Sequence, residues 1–276
     1  MYRFLRFPNF KFKAVTLSYD DGVVFDRKLI EILDKYGLKC TFNLNSELFA
    51  KESGGRKFTK DEATELYANS RHEVAIHGAQ HLSLAEVSPE AATRDIIVDR
   101  ENLEKQFGRI VKGMAYANGS YNDAVVEILK NCGIKYARTT VATNKFDIPV
   151  EWLKMPTTCH HTQENLGTLI DEFLSLKEVG YYWSNSPKLF YLWGHSYEFN
   201  DNDNWDIIEN FAKKVGNRED IWYCTNGELY DYVTAYNRLE YSVDGKIIKN
   251  PTDTDLYLAY YGKNILVQAN CVYNAK

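Results

Sequence analysis

Apolar positions along most of the chain follow two alternating periods. Residues 14–19, 39–45, 72–77, 111–116, 134–139, 189–194 and 221–224 are short apolar or β-branched runs of the kind that form strands. Between them lie stretches with helical spacing, at 27–36, 59–70, 88–107, 123–132, 164–178, 205–215 and 227–236. The end signals agree with these periods. Leu29, Ile30, Leu33 and Tyr36 form one apolar face that closes at Gly37, and Thr59 with Glu62 three residues on is a capping pattern. Ser88 followed by Pro89 opens the longest helix, and Gly133 ends the one before the fifth strand. Strand and helix alternating in this way predict a parallel α/β sheet, open or closed into a barrel. From residue 239 the pattern changes to short alternating strands around Asp244-Gly245. The expected organisation is one α/β domain over 1–238 and a small β appendage over 239–276.

The first strand runs directly into Asp20-Asp21-Gly22. Such a sequence can be a turn and nothing more. In a parallel sheet, however, active groups collect at the carboxyl ends of the strands. The third strand ends at His77, with His81 shortly after; the fourth ends at Tyr116-Ala117-Asn118-Gly119, the fifth at Arg138-Thr139-Thr140, and a later one at Trp193-Gly194-His195. Two carboxylates and three of the six histidines are thus gathered on one face. His77 and His81 stand four apart, so one turn puts both imidazoles on one side. With one carboxylate they make two nitrogens and an oxygen around a divalent metal, with a position open for water. Asp20 and His195 remain available as base and acid. Trp193 and Tyr116 are candidates for contact with a sugar face, and of the loop pair His160 and His161 the latter is placed in the cleft. Asp201, Asp203 and Asp206 do not fit a calcium loop and read as helix capping.

Composition narrows the partners. The 276 residues carry 33 Lys and Arg against 38 Asp and Glu, a net charge of −5, with no basic run. That argues against a nucleic-acid or anionic-membrane partner. The five cysteines are scattered without a Cys-x-x-Cys, so reduced and mostly buried thiols are expected. The first residues lack the long apolar stretch of a signal peptide, and no window is long enough to span a membrane, so a cytoplasmic location is expected.

The ordered set Ser-Tyr-Asp-Asp-Gly, His-x-x-x-His, Ala-Tyr-Ala-Asn-Gly and Leu-Trp-Gly-His, spanning about 14–236, resembles the polysaccharide deacetylases, the NodB-homology domain of carbohydrate esterase family four. The resemblance implies a distorted (β/α) barrel that removes N- or O-linked acetyl groups from carbohydrate with one divalent metal, zinc being the expected ion. It implies that Asp20 is the general base, that Asp21, His77 and His81 hold the metal, and that His195 is the acid. It also implies that Asn118 supplies a backbone N–H to the oxyanion. Two family features are missing. Ala115 stands where an arginine usually pairs with the base, and no Asp-Trp pair follows the fifth strand to orient the acid. Arg138 and Asp147 are the candidate substitutes. The expected function is a metal-dependent deacetylase acting on an acetylated amino sugar, oligosaccharide or polysaccharide. The alternatives are an amidase for a small non-sugar amide and a non-catalytic carbohydrate-binding relative.

Overall fold

The computed structural model describes residues 2–178 and 185–275. Its central element is β2 (Lys13–Asp20), which follows the short N-terminal β1 (Arg3–Arg6) and is buried along its whole length. Apolar and β-branched side chains on both faces of one strand mean that both faces are covered, as in a parallel sheet wrapped by helices. The next strands are β3 (Cys40–Leu44), β4 (Glu73–Ile76), β5 (Gly113–Ala115) and β6 (Tyr136–Ala142). They are followed by β7 (Met155–Thr157), β8 (Cys159–His160), β9 (Lys188–Gly194) and β10 (Ile221–Tyr223). The sheet order is β7-β6-β5-β4-β3-β2-β9-β8, with β10 added to the start of β2, and every pairing in it is parallel. The amide of Thr158, just after β7, donates to the Tyr191 carbonyl in β9 at 2.9 Å. The two ends of the sheet therefore meet, and the fold is a nearly closed (β/α) barrel.

The intervening helices are α1 (Asp26–Lys35), α2 (Lys60–Ala68), α3 (Pro89–Phe107) and α4 (Asp123–Asn131). Beyond β8 come α5 (Leu166–Ser175), α6 (Ser196–Asp201), α7 (Asp206–Val215) and α8 (Asn226–Asn237). Their ends carry the expected signals. Thr59 accepts from the Glu62 amide at 3.2 Å while the Glu62 carboxylate accepts from the Thr59 amide at 2.8 Å. Ser88 caps α3 through the Ala91 amide, and Gly108 closes that helix in the left-handed conformation. None of the helices among the described residues is long and apolar enough to cross a membrane. Four of the cysteines are buried, Cys271 is exposed, and all five are free thiols.

The residues after α8 form two small antiparallel sheets. The strands β11 (Glu240–Tyr241), β12 (Ile247–Lys249) and β15 (Val272–Asn274) make one of them. The other joins β13 (Leu256–Tyr260) and β14 (Lys263–Val267) to β1, with Leu5 opposite Leu258. Leu256, Leu258 and Val267 pack in one apolar cluster with Phe7, Ala14 and Tyr232. The C-terminal strands thus carry the chain's own N-terminal strand and share a core with one end of the barrel.

Candidate metal and catalytic site

The register of the barrel decides which side chains meet. Asp20 is opposite Asn43 across β2 and β3, Leu44 opposite Ile76 across β3 and β4, and Ala115 opposite Arg138 across β5 and β6. On the other flank Tyr19 is opposite Gly194. Asp20, His77, Arg138 and His195 therefore emerge at one rim.

Adjacent in sequence, Asp20 and Asp21 separate at once. Asp20 is the last residue of β2 and 2 % exposed. Asp21 has a left-handed backbone, φ 81°, which aspartate tolerates better than most residues, and Gly22 continues it at φ 57°. A β-carbon on Gly22 would lie 2.9 Å from the Leu44 side chain, so the turn fits glycine alone without adjustment.

Asp21, His77 and His81 place their ligand atoms within 4.8 Å of one another. His77 has its Nδ1 2.8 Å from the Ala115 carbonyl, which assigns the proton to Nδ1 and leaves the Nε2 lone pair for a cation. His81, in the left-handed region at φ 57°, brings its Nε2 to 3.7 Å from Asp21 Oδ1. The loop that carries both is held by α3. Its Asp95 accepts from the Gln80 amide at 2.8 Å and its Asp99 from the His77 amide at 3.0 Å. Both carboxylates are buried, and burial raises the Asp99 carboxyl to about 7. They escaped the reading of the sequence, where the only signal is a pair of acids four apart on an otherwise packed helix face. One carboxylate oxygen and two imidazole nitrogens, one with its other nitrogen anchored, are a donor set suited to zinc or a similar divalent ion. Lys57 shares the Asp21 end of this cluster, with its Nζ 3.9 Å from Oδ1.

Asp20 lies behind the cluster. Asn43 donates to its Oδ1 at 2.8 Å, Arg138 pairs with its Oδ2, and the Nε2 atoms of His77 and His195 stand 3.8 and 3.9 Å from that same oxygen. Burial alone would raise this carboxyl; Arg138, then the two imidazoles and Asn43, outweigh it and hold it below its usual range. Arg138 is itself 1 % exposed, and its guanidinium lies 4.2 Å over the Trp193 ring. Arg138, opposite Ala115 on the neighbouring strand, is thus the guanidinium that pairs with Asp20.

His195 follows β9 directly and is the N-cap residue of α6. Its Nε2 faces Asp20 and its Nδ1 is 3.3 Å from Glu198 Oε2. Burial opposes protonation of this imidazole, but Glu198 and Asp20 together raise its pKa. The same Glu198 oxygen lies 3.2 Å from His160 Nε2 and 3.1 Å from His161 Nε2. Although burial would raise the Glu198 carboxyl, its three imidazole neighbours hold it far below the carboxylate range.

Three expectations need correction. Asp147 is mostly exposed and pairs with Lys188 at 3.4 Å; the carboxylate beside His195 is Glu198, three residues on in α6. Tyr116 is 1 % exposed, stacked on Tyr121, and donates to the Leu153 carbonyl at 2.8 Å, so it offers no face to a substrate. His161 is buried as well, between Tyr19 and Phe199. Trp193 is half-buried with Arg138 over its ring and His160 at its edge. Asn118 stands at the rim with φ 56° and its side-chain amide donates to Ser83 Oγ at 3.0 Å.

Comparison with known proteins bears on the fold and the family. The family model described as polysaccharide deacetylase matches residues 8–137. A search of the curated proteins gives no match. Among solved structures, a Mycobacterium smegmatis protein described as a putative polysaccharide deacetylase aligns over 84 % of this chain and 94 % of its own, at 16 % identity and a TM-score of 0.62. A family 4 acetyl xylan esterase from Clostridium thermocellum, in complex with a cobalt ion, aligns over 79 % and 90 % at 18 % identity and 0.50. A Streptococcus pyogenes deacetylase in complex with acetate is 25 % identical over 45 % of this chain, at a TM-score of 0.42, and only 55 % of its own length is spanned. The family model is matched over residues 8–137, just under half of the chain, and the barrel is shared over most of it, so the chain is similar to the polysaccharide deacetylases and diverges from them in sequence.

Proposed function

We propose that this protein is a metal-dependent deacetylase that removes N- or O-linked acetyl groups from a carbohydrate. The observation that carries the reading is the division of labour at one rim. A ligand set of Asp21, His77 and His81 stands beside a carboxylate and an imidazole whose charged forms are each favoured by their own partners, Arg138 and Glu198. Asp21, His77 and His81 would hold a divalent cation, most simply zinc, which when bound would supply Lewis-acid polarisation of the acetyl carbonyl and a more acidic water.

The remaining chemistry belongs to the chain. Asp20, kept ionised by Arg138 and oriented by Asn43, accepts the proton of the attacking water. His195, whose Nε2 faces the same space and whose Nδ1 side is occupied by Glu198, donates a proton to the departing nitrogen or oxygen. In this reading Asn118, which follows β5 with a positive φ, would offer its N–H to the oxyanion.

The test is acetate release from acetylated chito-oligosaccharides, acetylated xylan and small linear and cyclic amides. Release from the carbohydrates, lost in Asp20→Asn with metal content unchanged, is the expected result. Turnover of small amides alone would replace the carbohydrate assignment, and carbohydrate affinity without acetate release would make the protein a binding module. Activity persisting in Asp20→Asn would remove Asp20 from the role of base.

A further inference from the structure

Next to the cluster just described, three imidazole nitrogens surround one oxygen of Glu198. His161 Nε2 is 3.1 Å from Oε2, His160 Nε2 3.2 Å and His195 Nδ1 3.3 Å. Hydrogen bonds of that length are ordinary, yet these are not aligned as hydrogen bonds. The Nε2 of His161, on a side chain with no exposure, and the Nδ1 of His195 are left without a hydrogen-bond partner. Buried polar atoms are nearly always paired, so an unpaired imidazole nitrogen aimed at a carboxylate calls for another occupant.

The distances suggest which. Donors bound at about 2.0–2.1 Å to a tetrahedral cation stand about 3.3–3.4 Å from each other. Close approach with poor N–H alignment is what results when two lone pairs converge on a point between their atoms. The ligand atoms of His160, His161 and Glu198 all fall within 4.8 Å of one another. The far side of each ring is anchored as well. His160 Nδ1 is 2.8 Å from Thr162 Oγ1, with the Thr162 amide farther off at 3.3 Å, and His161 Nδ1 is 3.2 Å from the Tyr19 hydroxyl. In the tautomer that carries the proton on Nδ1, which can donate to those hydroxyl oxygens in place of the Thr162 amide contact, both Nε2 lone pairs face inward, the usual support of a metal-binding histidine.

We propose that His160, His161 and Glu198 form a second divalent-cation site, of zinc type, separate from the one at Asp21, His77 and His81.

The experiment counts zinc bound at equilibrium by the full chain, using zinc alone as probe. The wild type should bind two equivalents. His81→Ala should keep one and His160→Ala the other, each with unchanged circular dichroism; His160→Gln serves as a second variant should alanine disturb the fold. One equivalent in the wild type, lost in His81→Ala and kept in His160→Ala, would overturn the second site.

Discussion

Asp20 and Arg138 are both almost completely buried and pair with each other. Removing one partner from such a pair leaves an uncompensated charge and costs about 3–5 kcal/mol, whereas an exposed pair is worth little. Arg138→Ala should therefore lower the urea stability by about that amount. It should also reduce kcat at least ~100-fold, the scale of losing a positioned base. Wild-type kcat in that variant would show that Asp20 does not depend on the arginine. Asp26 is a different case. It has no exposure, accepts from Tyr67 and Ser196, and burial raises its pKa to about 7 from the usual 3.8. Its folded pKa lies above its unfolded one, so the stability it contributes is full below about pH 4 and drains away as pH rises to about 7. Between pH 5 and pH 7.5 the wild type should lose more stability than Asp26→Asn, as read from urea midpoints at the two pH values. Equal losses would mean that Asp26 is ionised throughout.

Gly194, the last residue of β9, allows that strand to pass against a buried ring. A β-carbon there would lie 2.0 Å from His161 Nδ1, and His161 has nowhere to go between Tyr19 and Phe199. Gly194→Ala should cost about 1–3 kcal/mol as overpacking, measured by thermal or urea unfolding. Unchanged stability would show that the ring moves freely. Much of this scale was legible beforehand. The α2 and α3 caps follow from Thr59-x-x-Glu62 and Ser88-Pro89, because capping is settled within four residues. The strands β7 and β8 and the six-residue α6 were not legible, since two to six residues are too few to show a period. Glu198 went unnoticed for that reason, although it is one turn away from His195.

At the scale of the whole molecule the C-terminal strands matter for stability. Since β13 pairs with β1 and Leu256, Leu258 and Val267 cover Phe7, a chain ending after α8 would expose a fully buried phenylalanine and leave β1 unpaired. Deletion of 239–276 should lower the urea midpoint of the barrel itself, followed by the near-ultraviolet signal of its aromatic side chains. A midpoint equal to that of the full chain would make the tail a true appendage.

The alternation of strand and helix, the cap positions and the presence of Asp20, Asp21, His77, His81 and His195 at or just beyond strand ends were determined by the sequence alone, whereas Arg138, expected at a strand end, is the third residue of β6, which runs on to Ala142. Each depends on local periods and on the general rule that parallel sheets gather strand ends on one face. Which of those residues touch was decided by the tertiary structure. Arg138 reaches Asp20 across 118 residues, through strand order and register that no local pattern encodes. The same holds for Tyr116, which the packing turns inward, and for Glu198, which α6 sets against three imidazoles. Side-chain identity is a property of the chain, but pairing and burial arise only when the barrel closes.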